Sequence, residues 1–282
     1  MLAEFTKLVH KRDTSGQRLL LQKWERDFHG HEDPEYFVAA FNYYVRQSEI
    51  DALKMTDQPD GSGGLAIAVY GADSTAPVSY ITRGTLYDSK LLDKGLEVID
   101  EGIRAFPDRL DMRFGKMHTC TETGRFDLLT SDVAKLLDQG EVNHNQWLWS
   151  ENEPFEGGEE GVLDVLQQYQ TMIYDDGDST HLVHLRNISE HVLKHYPDHV
   201  PSHTNVAIYH IIMQDYDAAI ASLHKAEKVD PDDYVVHMNL AYAYRSKGDE
   251  TKARKYFKKI LKCDNQFARQ QAQEELDEMK KN

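Results

Sequence analysis

From residue 200 onward the apolar and small positions fall into a pattern that returns. Ala207, Ala219, Leu223, Ala226 and Pro231 recur 34 positions later as Ala241, Ala253, Phe257, Ile260 and Asn265. Polar positions keep the same phase, Asp215 with Asp249, Lys225 with Lys259, Lys228 with Lys262 and Asp230 with Asp264. Each copy (206–233 and 240–267) holds two amphipathic runs split by a short polar turn, Gln214–Asp217 in one and Lys247–Glu250 in the other. That alternation predicts a pair of antiparallel helices per copy. A fixed period of this length predicts pairs stacked into a solenoid. The alanines let two helices approach closely, Leu223 and Phe257 fill the groove between neighbouring pairs, and Pro231 stops the second helix.

These residues resemble the tetratricopeptide repeat family. The likeness is carried by Ala207 in mid first helix, by Ala219, Leu223 and Ala226 down the second, and by Asp230-Pro231 after it. The next copy departs from the pattern at Ile260 and at Asp264-Asn265. The resemblance is strong over 200–267. It implies an all-α fold, an α–α superhelix of about five to six helix pairs, with first helices lining a concave groove that takes extended or helical peptides.

Weaker echoes carry the phase upstream. Tyr196-Pro197 precedes Asp230-Pro231 by one period, so 180–197 reads as a second helix with 161–174 as its first. Residues 91–107 place Gly95, Ile99, Gly102 and Pro107 in matching positions, and 109–140 reads as another pair around Gly124. Residues 34–47 supply an earlier first helix. The run 16–30 precedes it, with Thr14 and Gln17 at the spacing of a capping box. The polar run 265–282 fits a C-terminal capping helix, one face of which meets water. The expectation is a single solenoid over 1–282, because no Pro/Gly/Ser linker separates two blocks.

Two stretches break the period. The first, 48–89, falls between a first helix and its second. Asp60–Gly64 is a loop by chemistry, and 65–70 and 77–83 are β-branched and aromatic, so a β-hairpin insertion packed on the helices is expected. It would serve as a cover for the core end, or as a lid or docking edge. The second, 140–161, places Trp147, Trp149 and Phe155 among glutamates. In an extended segment the two indoles point to one side, giving either a plug between repeats or an aromatic patch with an acidic rim.

Charge and chemistry narrow the function. A net charge of −16 disfavours nucleic acid and anionic membranes and weakly suggests a basic partner. Cys120 and Cys263 fall on different helices and read as reduced thiols. The start, Met1–Asp13, lacks the apolar stretch of a signal peptide, and no run reaches membrane-spanning length, so a cytoplasmic location is expected. Among 14 histidines, His191, His195, His199 and His203 stand at four-residue spacing, but Pro197 breaks their face and no HExxH is present. The Asn187-Ile188-Ser189 sequon lies mid-helix. Gly61–Gly64 lacks the lysine of a phosphate loop, and no nucleophile constellation emerges. No catalytic residue, cofactor or metal is expected.

In the resembled family, some members clamp a carboxylate with Lys and Asn on the first helices. Here those faces carry Thr204 and Ile208, then Met238, Tyr242 and Arg245, with one cation. The upstream first helices carry Asn42, Tyr43 and Arg46, then Arg113, Lys116 and His118. These ten residues, Asn42, Tyr43, Arg46, Arg113, Lys116, His118, Trp147, Trp149, Tyr242 and Arg245, form the expected partner-binding set, with the groove centred upstream near the Trp147/Trp149 loop. The expected function is a non-catalytic protein–protein interaction scaffold. The alternatives are a small-ligand or peptide sensor or accessory enzyme with a pocket closed by the two insertions, and self-association through the last repeats.

Overall fold

The computed structural model describes residues 1–56, 66–71 and 75–280. Thirteen α-helices and three strands lie among them. The chain divides into two compact units. One is Met1–Thr119 with Trp147–Phe155, and the other is Cys120–Gln146 with Glu156–Asn282.

The first unit opens with α1 (Leu2–His10) and α2 (Thr14–Asp27). The expected capping box at Thr14 and Gln17 does not form. Asp13 stands one position earlier and accepts from the Gly16 N–H at 2.8 Å, which makes Thr14 the first helical residue. Gln17 instead donates from Nε2 to the Leu8 carbonyl. Next comes α3 (Pro34–Ser48), with proline at its first position, where no amide is needed. Asp33 caps it and also ties it to α2. One carboxylate oxygen accepts from the Glu35 N–H and the other from Trp24 Nε1, each at 3.0 Å. Trp24 is buried, so losing that acceptor strands its indole N–H. Asp33→Ala is therefore expected to cost about 2 kcal/mol, a lost cap plus an unsatisfied donor. Urea unfolding followed by tryptophan fluorescence checks it, because Trp24, Trp147 and Trp149 all belong to this unit. An unchanged midpoint would refute it.

The insertion between α3 and α4 (Ser89–Ala105) folds as a three-stranded antiparallel sheet. Its strands are β1 (Glu49–Thr56), β2 (Ile67–Tyr70) and β3 (Pro77–Tyr87), in the order β1-β3-β2. The expected β2–β3 hairpin is present, with Ile67 opposite Ile81, and β1 adds a further strand with Glu49 opposite Tyr87. The loop Asp60–Gly64 and part of the 71–76 connection lie outside the described residues. Several apolar side chains of the hairpin face solvent rather than helices, with Ile67 53% and Val78 58% exposed. A second partner for β3 supplies the pairing that a lone hairpin lacks. The Asp88 N–H donates to the Ser48 carbonyl at 2.7 Å, so the insertion leaves and re-enters the helical frame at one point. That closure lets α3 and α4 pack as neighbours. Their approach depends on Gly102, where a methyl group would come within 2.7 Å of Phe37 Cβ. Then α5 (Leu110–Glu122) follows, and the division between units falls within it.

The second unit is helical throughout its described residues. It runs through α6 (Phe126–Val142), α7 (Gly158–Asp175), α8 (Leu182–His195), α9 (Val200–Ile212), α10 (Tyr216–Val229), α11 (Tyr234–Ser246), α12 (Glu250–Ile260) and α13 (Gln266–Glu278). The periodic alanines lie where helices meet, and Ala207, Ala219, Ala226, Ala241 and Ala253 are all fully buried with Leu223 and Phe257. The turns repeat too. Gln214 and Gly248 take positive φ of 61° and 89°, after which Asp215 and Asp249 cap the second helices by accepting from the Ala218 and Lys252 N–H groups. Pro197 separates α8 from α9, so His191 and His195 do not share a helical face with His199 and His203. No described helix is long and apolar enough to cross a membrane.

Candidate functional site

In the second unit the first helices of three successive pairs, α7, α9 and α11, enclose a groove of 390 Å³. Its walls are apolar at Tyr174, Val200, Pro201, Ile208 and Val235, and a seam of amides crosses it. Asn205 builds the seam. Its Nδ2 donates to Gln167 Oε1 at 2.9 Å and to Gln170 Oε1 at 3.1 Å. Gln170 is fully buried, accepts also from Ser189 Oγ and donates to the Leu166 carbonyl. The Gln170 amide oxygen is thus saturated, and one of its two N–H groups is used. Asn205 Oδ1 and Gln167 Nε2 make no hydrogen bond among the described residues. The groove therefore offers one acceptor and one donor side by side, the complement of a backbone N–H and C=O. Asp233 is the one charged residue lining it, and its carboxylate is engaged in capping α11 through the Val235 and Val236 N–H groups.

The residues expected upstream are differently placed. Asn42, Tyr43 and Arg46 line a separate hollow of 150 Å³ in the first unit, walled by Leu2, Phe5, Thr6 and Val9 of α1. Arg113 and Lys116 are a correction to the expected open cationic face, because both are buried and internally bonded. Arg113 donates from Nε to the Pro107 carbonyl at 3.0 Å and lies 5.7 Å over the Trp147 ring. Lys116 Nζ donates to Asp100 Oδ1 at 2.7 Å. His118 is exposed. The two indoles do not form a shared open patch either. Trp147 is buried, whereas Trp149 is 39% exposed and packs against Phe114 and Phe155. Among the described residues, neither insertion lines the groove or the hollow.

A buried arginine that pattern reading passed over holds the Trp147–Phe155 segment in place. Arg109, 1% exposed, donates to Asp111, to Glu35 Oε1 at 2.8 Å and to Asn152 Oδ1 at 3.2 Å. Glu35 also accepts from the Glu151 N–H at 2.8 Å. Glu151 and Asn152 sit at φ of 58° and 59°, a strained conformation for residues with side chains, and these bonds fix it. The available signal was the Arg109-Leu110-Asp111 triplet at a helix start, which places a cation and an acid two positions apart.

Residues 210–276 match the family model described as tetratricopeptide repeat. The match covers α10 to α12, where the alanine period and the capped turns were seen. Within those residues the chain carries tetratricopeptide repeats. Solved structures overlay loosely. The thermophilic TPR protein TTC0263 of Thermus thermophilus is 16% identical, over 64% of this chain and 89% of that one, with a TM-score of 0.40. YrrB, a TPR protein with an unusual peptide-binding site, is 13% identical over 66% and 85%, with a TM-score of 0.39. MamA 41-end from Desulfovibrio magneticus RS-1 is 14% identical over 60% and 83%, with a TM-score of 0.38. No curated protein matches the chain.

Within the last repeat, Tyr242 and Arg245 are occupied by the chain itself. Tyr242 OH donates to Glu275 Oε1 at 3.0 Å and accepts from Gln271 Nε2, and Arg245 pairs with Glu275, so α13 lies against the repeat face that carries them. A second polar cluster gathers on the second helices. Glu227 accepts from Lys259 at 2.5 Å, from Tyr256 OH at 3.1 Å and from His224 Nδ1 at 3.0 Å. Burial works against its charge, but these donors outweigh it and hold the Glu227 pKa at about 2, below the ordinary 4.5. Because the folded value lies below the unfolded one, the stability it contributes is complete above about pH 4.5 and is lost as pH falls through about 2. Glu227→Gln should flatten this part of the acid limb, measured by circular dichroism at fixed denaturant. Equal acid loss in both proteins would contradict the assignment. Among the described residues no group of three or more His, Cys, Asp or Glu side chains could hold a metal ion.

Proposed function

We propose that the chain is a non-catalytic interaction module that holds an extended peptide segment of a partner protein in the groove between α7, α9 and α11. The observation that carries this reading is the pairing of the free Asn205 acceptor with the free Gln167 donor inside an apolar-walled groove. A groove of 390 Å³ accommodates one or two apolar side chains, while the amide pair reads the backbone beside them. No cation lines the groove, so a carboxylate there would be desolvated without a partner, and the bound segment is neutral or basic. The net charge of −16 also favours a basic approach and offers no footprint for nucleic acid or an anionic membrane. The hollow beside Asn42, Tyr43 and Arg46, at 150 Å³, is smaller than the groove and belongs to the first unit.

Selecting peptides from a randomised library on the purified full chain, then measuring affinities by calorimetry, tests the proposal. Selected sequences should carry an apolar anchor and lack acids. Asn205→Ala should weaken them about tenfold through one lost neutral hydrogen bond and the disordered seam, and Ile208→Lys more than that. Peptides that bind both variants as tightly as the wild type would refute the groove.

A further inference from the structure

The repeat duplicates a pocket outside the groove. A cavity of 730 Å³ lies among α8, α9 and α10, lined by Pro197, Asp198, His203, Lys225, Lys228 and Val229. One period later a cavity of 750 Å³ is lined by their counterparts Pro231, Asp232, His237, Lys259, Lys262 and Cys263. In both, a buried histidine from the first turn of a first helix stands below two lysines one turn apart, at the end of a second helix.

The copies differ at one wall. The downstream cavity has Glu227 beside it, whose carboxylate accepts from Lys259 at 2.5 Å and lies 3.5 Å from His237 Nε2. The upstream counterpart of Glu227 is Leu193, which lines its cavity and carries no charge. Tyr256, the second donor to Glu227, is replaced by Ser222, whose hydroxyl donates to the His203 carbonyl and leaves the space a phenol would fill. Lys225 and Lys228 make no hydrogen bond or ion pair among the described residues. The nearby acids do not neutralise them. Asp198 lines the cavity without pairing to either lysine, and Glu190, the counterpart of His224, lies 3.8 Å from Arg186. His203 Nε2 donates to the Pro197 carbonyl at 2.9 Å, which fixes the ring at the cavity wall.

The same pair of lysines beside a histidine is therefore built twice, once with its first lysine paired to the chain's own carboxylate and once with neither lysine paired. We propose that the Lys225–Lys228 pocket binds a glutamate or aspartate side chain of a partner's acidic segment, seated where Glu227 sits one repeat later. This site is separate from the groove and takes ligands of opposite charge. A charge-assisted contact to Lys225, the counterpart of Lys259, with Lys228 one turn away, gives it selectivity for an acid over the matching amide.

The test is an NMR titration of the full chain with acetyl-Gly-Glu-Gly-amide, following the side-chain signals of Lys225, Lys228 and His203. Saturable shifts at these three residues are expected, with none from acetyl-Gly-Gln-Gly-amide. Lys225→Ala should weaken binding about tenfold, the range of one charge-assisted bond. Leu193→Glu should abolish it by rebuilding the internal carboxylate. Glu227→Leu should create a second saturable site at Lys259 and Lys262. Equal response to the glutamine peptide, or unchanged binding in Leu193→Glu, would overturn the proposal. Inorganic phosphate saturating the same signals at lower concentration than the peptide would overturn the carboxylate assignment.

Discussion

Replacing Arg109 with alanine is expected to destabilise the first unit by about 3–5 kcal/mol. The guanidinium is 1% exposed and bonds Glu35 and Asp111, each with 11% of its side chain exposed. The pairs themselves contribute little net energy, because taking three charges from water offsets most of their attraction. Removing the cation alone is different. Two largely buried carboxylates then remain without a cation, and most of the desolvation cost stays while the main compensation is gone. The effect should reach the Trp147–Phe155 segment first, since Asn152 loses its bond to Arg109 and the Glu35 carboxylate that takes the Glu151 N–H is left unpaired. Urea unfolding by tryptophan fluorescence should show the lowered midpoint, and hydrogen exchange should quicken at the Glu151 amide. Removing all three charges with Arg109→Met, Glu35→Gln and Asp111→Asn should recover much of the loss. A fall below about 1 kcal/mol for Arg109→Ala would mean that the carboxylates find water instead.

Phe257→Ala is expected to cost about 3–5 kcal/mol in the second unit. The ring is fully buried and meets Tyr242 edge-on at 5.5 Å between centroids. It fills the position that Leu223 fills one repeat earlier. Both the lost transfer energy and the cavity contribute, and the surrounding helices close the void only in part. A repeat contacts only its neighbours, so the damage concentrates in α11 to α13. Hydrogen exchange should show α13 amides losing protection before those of α9, because α13 keeps few apolar anchors, Ala268, Ala272 and Leu276. Phe257→Leu should cost less than half as much, since most of the volume stays. Uniform loss of protection across α6 to α13 would argue against nearest-neighbour stacking.

The repeat stack was legible because its packing is periodic. Ala219 and Ala253 are buried by the same geometry, so the same small residue recurs at a fixed interval. The turn positions Gln214 and Gly248 recur for the same reason. The Arg109 network was not legible, because it joins residues 35, 109, 111 and 151, which share no local pattern. Strand β1 was missed because the apolar alternation that betrays a strand slips phase at Ala52-Leu53, and β3 rather than the local sequence recruits it. The capping box failed by one position, since Asp13 accepts the Gly16 N–H and makes Thr14 the first helical residue rather than the cap. The groove was sought upstream because cations stood there. Burial turned Arg113 and Lys116 into packing residues, while the seam that forms between α7 and α9 is made of Gln167, Gln170 and Asn205. Neutral amides in amphipathic helices carry no sequence signal until a neighbouring helix brings them together.

Peptide binding in the groove between α7, α9 and α11 can be mapped residue by residue from the amide chemical shifts of the full chain titrated with the tightest library-selected peptide. The largest changes are expected at Gln167, Asn205, Ile208 and Val235 and should be lost in Asn205→Ala. Changes confined to α10 and α12, or to the residues around Asn42 and Arg46, would contradict binding in the groove.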